Sequence, residues 1–230
     1  GRDPGPARDA LLARAGTAPA GLGAGEPTFA DLPEIEGDTV HLDVVDAEGN
    51  MVSATPSGGW LQSSPAVPGL GFSLSTRGQM FWLDPRLPNV LAPGKRPRTT
   101  LTPTLATRAG RPWLALGTPG GDQQDQWIAA VLLRLTRGPR AGLQAAIEAP
   151  AFHTAHYVAS FFPRAFRPGT LMLEGRFPEA TVAELRARGH AVQVLEDWSI
   201  GRVCAAALGR DGLLRAGASP RFAQAQAVGR

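Results

Sequence analysis

Only one stretch of this sequence sustains a helical period. Between Asp122 and Arg137, Ile128, Val131, Leu132 and Leu135 recur at i, i+3, i+4 and i+7, a single apolar stripe on one helix face. Gly120 and Gly121 stand directly before it, and Asp122 occupies the position of an N-cap. A helix with one apolar stripe must lay it on another element, and β-rich runs on either side supply candidates. Residues 40–46 and 51–55 read as a hairpin through Ala47-Glu48-Gly49-Asn50. Residues 104–108 and 113–117 read as a second around Ala109-Gly110-Arg111-Pro112, and a short strand is expected near 71–74. Further helices are expected over 141–148 and over 180–188, the latter between Pro178 and Gly189. Strands follow at 191–194, 202–208 and 213–216. The order predicts an α+β fold, antiparallel sheet with helices packed on it, or a layered αββα plan.

Residues 1–38 are rich in Gly, Ala and Pro and hold no sustained period beyond a helical possibility over 7–15. They read as a linker or the tail of a preceding region, so the expected division is 1–38 and 39–230. The opening at Gly1 rather than Met suggests the end of a longer polypeptide. With 230 residues, 43% of them hydrophobic, the chain can bury a real core. The net charge is +3, but Lys95 is the only lysine and the arginines are scattered among nearly as many acids. That is not the basic stripe of a nucleic-acid binder. The longest apolar stretch, around 127–135, falls far short of the roughly 20 residues of a membrane span. Cys204 is alone, which excludes an internal disulfide, and one cysteine with four histidines offers no zinc spacing. A single cysteine fits a reducing cytosol without demanding it, and neither metal nor cofactor is expected.

Three places could carry chemistry. Pro119-Gly120-Gly121-Asp122 is a strand-to-helix turn whose backbone N–H groups could hold an oxyanion, or a turn that merely needs glycine. Residues 93–104, PGKRPRTTLTPT, set Lys95, Arg96 and Arg98 beside Thr99, Thr100, Thr102 and Thr104, which suits either an anionic-substrate pocket or a solvated loop. Thr39 opens the first strand. Its hydroxyl is a poor nucleophile without an adjacent base, which a newly freed α-amino group would supply; otherwise it is a strand-favouring residue. His41 reads as a packed core histidine, His153 and His156 as structural or surface groups, and Cys204 as buried and inert. Trp60, Trp82, Trp113 and Trp127 read as core or pocket wall.

Taken in order, these places resemble a known family. Thr39-Val40-His41-Leu42-Asp43-Val44-Val45-Asp46 with Glu48-Gly49-Asn50, then Gln79-Met80, Lys95-Arg96-Pro97, Thr102-Pro103-Thr104 and Pro119-Gly120-Gly121, are similar in order and spacing to the small subunit of gamma-glutamyltranspeptidases, which are N-terminal nucleophile hydrolases. Gly217-Ala218-Ser219-Pro220-Arg221 resembles the family's closing motif, with Ser219 where an aspartate is usual. The resemblance spans roughly residues 39–222. It implies a four-layer αββα sandwich of which this chain holds the small-subunit half, and a proenzyme that cuts itself before Thr39. Residues 1–38 would end the large subunit, the partner after cleavage.

By the same resemblance, Thr39 is the nucleophile, Ser57 takes the place of a threonine that assists it, and Gly120 and Gly121 form the oxyanion hole. Gln79, Thr99 and Thr100 match substrate-contacting positions. Two positions that grip the amino-acid head of a gamma-glutamyl substrate read Gly59 and Trp82 here. PSGGWLQSSP, PGKRPRTTLTPT and PGGDQQDQW together look more like the oxamate amidohydrolase branch, with Arg96 or Arg98 as a clamp for a small anionic amide. The other readings are a gamma-glutamyl transferase or hydrolase and a non-catalytic homologue.

Overall fold

The computed structural model describes residues 39–58, 66–71, 74–137, 142–161, 164–221 and 225–229. The helix expected over 7–15, the start of the one expected at 141, Gly59, Trp60 and part of the strand expected near 71–74 lie outside them.

β1 (Leu42–Val45) and β2 (Met51–Ala54) form the first hairpin, with Leu42 opposite Ala54 and Val45 opposite Met51. Its turn is tied by Asp46, whose carboxylate accepts hydrogen bonds from the Asn50 backbone N–H and side-chain amide, both at 2.7 Å. β3 (Thr104–Arg108) and β4 (Arg111–Gly117) form the second hairpin. Its turn is two residues, Ala109 and Gly110, both at positive φ, rather than the four expected. Arg111 and Pro112 therefore lie in the strand. Pro112 is tolerated there because β4 pairs with β8 only from Leu114 onward, and the β3 register slips beside it at Ala106/Thr107.

β8 (Cys204–Leu208) and β9 (Leu214–Ala218) complete an antiparallel four-stranded sheet in the order β3-β4-β8-β9. Leu114, Leu116, Ala205 and Ala207 pack on α1 (Gln124–Arg137) and α2 (Leu143–Glu148), meeting Trp127, Ile128, Val131, Ala146 and Ile147 in the main core. The β1–β2 hairpin stacks on the opposite face of the sheet. That face is lined with small residues where the hairpin approaches. A side chain at Gly117 would collide with the His41 ring, its Cβ only 2.2 Å from Cε1. Helices, sheet and hairpin thus make three stacked layers, and Val40, Leu42, Val44 and Val52 face outward at 46–56% exposure.

A smaller unit stands beside this stack. β5 (Phe152–Thr154) is antiparallel to β6 (Thr170–Glu174), and β6 is parallel to β7 (Ala191–Leu195) through α3 (Glu179–Ala187). The expectation of antiparallel pairing fails for β6 and β7, and β5 and β6 were not expected. β6 shows no alternation to read because it is almost wholly buried. Among the described residues no helix is long and apolar enough to cross a membrane.

The two units are joined by a buried ionic clamp. Glu174, fully buried, accepts hydrogen bonds from Arg221 Nε at 2.6 Å and Nη2 at 2.9 Å, from Arg176 Nη2 at 2.7 Å and from the Ala151 N–H at 3.0 Å. Burial pushes the Glu174 pKa up, but the Arg221, Ala151 and Arg176 donors outweigh it and hold the value at about 2. Arg221 also donates to the carbonyls of Ile147 and Ala149 at the end of α2. The closing motif is thereby a structural bolt.

His153 is buried at 6% exposure, edge-on to Trp127 with centroids 5.5 Å apart. Burial lowers its pKa to about 4 from the ordinary 6.5. Between those values the unfolded chain binds a proton that the folded chain refuses, so stability falls as pH drops from about 6.5 to 4. Thermal unfolding followed across that window is expected to slope for the wild type, and His153→Phe to flatten it down to the range where carboxylates titrate.

Candidate active site

The hairpin register decides which residues meet at its open end. Carrying the Leu42–Ala54 pairing outward puts His41 opposite Thr55 and Thr39 opposite Ser57, on the inward side of the strands. Val40 N–H donates to the Pro56 carbonyl at 3.3 Å, so the ladder persists that far. His41 Nδ1 lies 2.8 Å from Thr55 Oγ1 and its Nε2 2.8 Å from Asp43 Oδ2, with both side chains almost fully buried. That arrangement fixes the ring between hairpin and sheet, as a packed histidine. Thr39 Oγ1 and Ser57 Oγ are 2.7 Å apart.

Arg77 reaches the same cluster from a 3-10 turn, Arg77–Met80, and its Nη2 donates to Ser57 Oγ at 2.6 Å. The guanidinium is buried, packed against Gly58 and 5.6 Å from the Phe161 ring. Arg77 was not singled out in the sequence. The available signal was an arginine set among small and hydroxyl residues two positions before Gln79.

The Gly120–Gly121 turn follows β4 at the end of the sheet that His41 covers. Gly120 has φ +132°, and a Cβ there would lie 2.2 Å from the Trp127 ring, so only glycine fits. Neither Gly120 nor Gly121 donates its N–H to an acceptor among the described residues, which leaves two donors free at a helix start. Asp122 is not the N-cap expected. A 3-10 turn, Gly121–Gln123, intervenes before α1, and the Asp122 carboxylate accepts instead from the Ser160 N–H at 2.7 Å and hydroxyl at 2.5 Å. Arg98 Nη2 also approaches Asp122, at 3.3 Å.

The residues proposed from the 93–104 loop divide. Thr100 is buried with Oγ1 unpartnered among the described residues, while Thr99 is exposed and its hydroxyl accepts from the Leu101 N–H at 3.1 Å. Arg96 and Arg98 are both exposed. Thr102 donates through N–H and hydroxyl to the buried Gln124 Oε1, each at 3.3 Å, which docks the loop on α1. Gln79 is exposed, and its carbonyl accepts from Arg164 at 3.0 Å. Arg164 also stacks on Trp82, 4.1 Å from the ring centroid, holding that indole as a wall. A cleft of about 490 Å³ opens beside the turn, bordered by Arg98, Asp122, Gln126, Tyr157 and Arg167, but Thr39, Ser57 and Arg77 do not line it. Among the described residues no His, Cys, Asp and Glu cluster could hold a metal.

The family model described as gamma-glutamyltranspeptidase matches residues 17–229. The chain belongs to that family. Within it, the chain is 33% identical over 196 residues to a glutathione hydrolase-like YwrD proenzyme of Bacillus subtilis, covering 84% of this chain and 36% of the relative. It is 36% identical over 189 residues to an oxamate amidohydrolase proenzyme of Klebsiella pneumoniae, covering 80% and 34%. Among solved structures, LmbA2991HD matches with TM-score 0.77 at 55% identity, over 83% of this chain and 34% of the other. The gamma-glutamyltranspeptidase of Pseudomonas nitroreducens complexed with L-DON matches with TM-score 0.64 at 26% identity, over 83% and 99%. The chain spans about a third of the length of the curated relatives it matches. The α+β layers are those of the family's N-terminal nucleophile hydrolase fold.

Proposed function

We propose that this chain is the C-terminal part of a self-processing threonine amidohydrolase. The observation that carries the reading is the 2.7 Å contact between the Thr39 and Ser57 hydroxyls, at the open end of a hairpin whose outer part is fixed by register. In the proenzyme the Thr39 hydroxyl attacks the Asp38 carbonyl, and the acyl group shifts from nitrogen to oxygen, which frees the Thr39 amine. Water then hydrolyses the resulting ester to release the Thr39 hydroxyl and the Asp38 carboxylate. That amine then takes the proton from the Thr39 hydroxyl as it attacks a substrate amide. The Gly120 and Gly121 N–H groups receive the oxyanion, the leaving amine takes the proton, and water releases the acyl group. Residues 1–38 close the large subunit and 39–230 form the small one, which remain paired after cleavage.

The substrate in this reading is a small amide with a carboxylate, such as oxamate. Trp82, held as a wall by Arg164, stands where a gamma-glutamyl enzyme has an acid for the substrate ammonium, so that position offers a cationic head no carboxylate. Arg96 and Arg98 are the clamp candidates, with Gln79, Thr99 and Thr100 as further contacts. The name of the Klebsiella relative is in accord with this choice, and that of the Bacillus relative with a glutathione-like substrate.

Intact mass and N-terminal sequencing of the full-length protein test the class. Two chains, the smaller beginning at Thr39, are expected, with a single chain from Thr39→Ala. A folded wild type that remains uncut favours a non-catalytic homologue. Ammonia release from oxamate, set against amine release from a gamma-glutamyl anilide, then separates the two substrate classes.

A further inference from the structure

We infer that Arg77 is a positioning residue for the nucleophile, acting through Ser57 to aim a hydrogen bond at Thr39 Oγ1. The argument rests on the proposed role of Thr39 and on hydrogen-bond accounting. Ser57 Oγ has two neighbours among the described residues, Arg77 Nη2 at 2.6 Å and Thr39 Oγ1 at 2.7 Å. A guanidinium can only donate. Among the described residues the Ser57 proton therefore has one acceptor, Thr39 Oγ1. This polarity leaves the proton of Thr39 free for the base and sets a donor against the oxygen on which negative charge develops.

The cation strengthens that donor. Arg77 is 8% exposed, and its Nε and Nη1 have no hydrogen-bond partner among the described residues. Gly58 lies against Nε, where a Cβ would sit at 3.0 Å, so a residue without a side chain there gives the guanidinium its place. Ser75 and Thr76, on the same segment, are neutral, and the Phe161 ring covers another side. Among the described residues, Asp122 is the one acid whose charge acts appreciably on Arg77, and no carboxylate forms an ion pair with it. Its field is therefore spent on Ser57. A hydroxyl that accepts from a buried cation is a stronger donor to its next neighbour.

Self-cleavage of the full-length protein provides a readout that needs no added substrate. Arg77→Gln is expected to slow the appearance of the Thr39 chain by about 10- to 100-fold, the range of one charge-assisted hydrogen bond. Arg77→Lys, which keeps the charge but shortens the fork, is expected to slow it about tenfold or less. Both losses are expected to vanish in a Ser57→Ala background, since the arginine then has nothing to act through. Circular dichroism verifies the fold of each variant; if Arg77→Gln unfolds, the Arg77→Lys cycle carries the test alone. An Arg77 effect of the same size with and without Ser57 overturns the inference, because packing or direct substrate contact would behave that way. So does full-speed cleavage in Arg77→Gln, with Thr39 as nucleophile left standing. A wild type that never cleaves overturns both.

Discussion

Glu174→Ala is expected to lower the unfolding free energy of the full-length protein by about 3–5 kcal/mol, measured by urea denaturation at neutral pH. The loss comes from what remains behind. Removing the carboxylate strands Arg221, whose side chain is fully buried, and Arg176, which is only 18% exposed, without a counter-charge. It also leaves the N–H groups of Ala151 and Ile200 without the side-chain acceptor that joins the two units. Glu174→Gln keeps an acceptor and is expected to cost less. The sign of the pH dependence follows from the depressed pKa. From about 4.5 down to about 2 the unfolded chain protonates Glu174 and the folded chain does not, so the clamp's contribution is present above that window and lost through it. Either variant removes this acid limb.

Gly120→Ala is expected to cost about 3 kcal/mol or more and to abolish self-cleavage, whereas Gly121→Ala is expected to cost about 1 kcal/mol. Both glycines have positive φ, but their surroundings differ. At Gly120 a methyl group meets the Trp127 ring at 2.2 Å, and that ring cannot retreat because His153 stands edge-on to it and Gly201 packs against it. At Gly121 the nearest atoms are 3.8 and 3.9 Å away, so only the backbone preference opposes alanine. Thermal melts of the two variants, with N-terminal sequencing, measure both effects. Equal melting temperatures would show that the indole yields.

Local signals in the sequence were sound where one residue type decides the backbone. Asn50 after Gly49, and Ala109-Gly110 between alternating runs, mark hairpins because their turns demand those conformations. The stripe from Ile128 to Leu135 marks α1 because a single face meets the core. β6 was illegible for the opposite reason: buried on both faces, Thr170–Glu174 carries no period. Asp122 misled because its position suits a cap, while its carboxylate serves Ser160, distant in sequence. Among the candidate site residues, Thr39 and Ser57 meet by strand register, which can be counted along the chain. Arg77 joins them only through tertiary packing, so no spacing announces it.

The stacking of β1 on β8 also has a consequence in time. The strand that follows Thr39 rests on one made about 160 residues later, which at about 5–20 residues per second emerges from a ribosome some 8–30 s afterwards. Until then the first hairpin has only the β3–β4 half of its bed to lie on. A nascent polypeptide interrupted before Cys204 would carry Thr39 and Ser57 on an incomplete sheet, without β8 and β9. In the proposed self-cleavage, cutting then waits on a sheet that synthesis completes late.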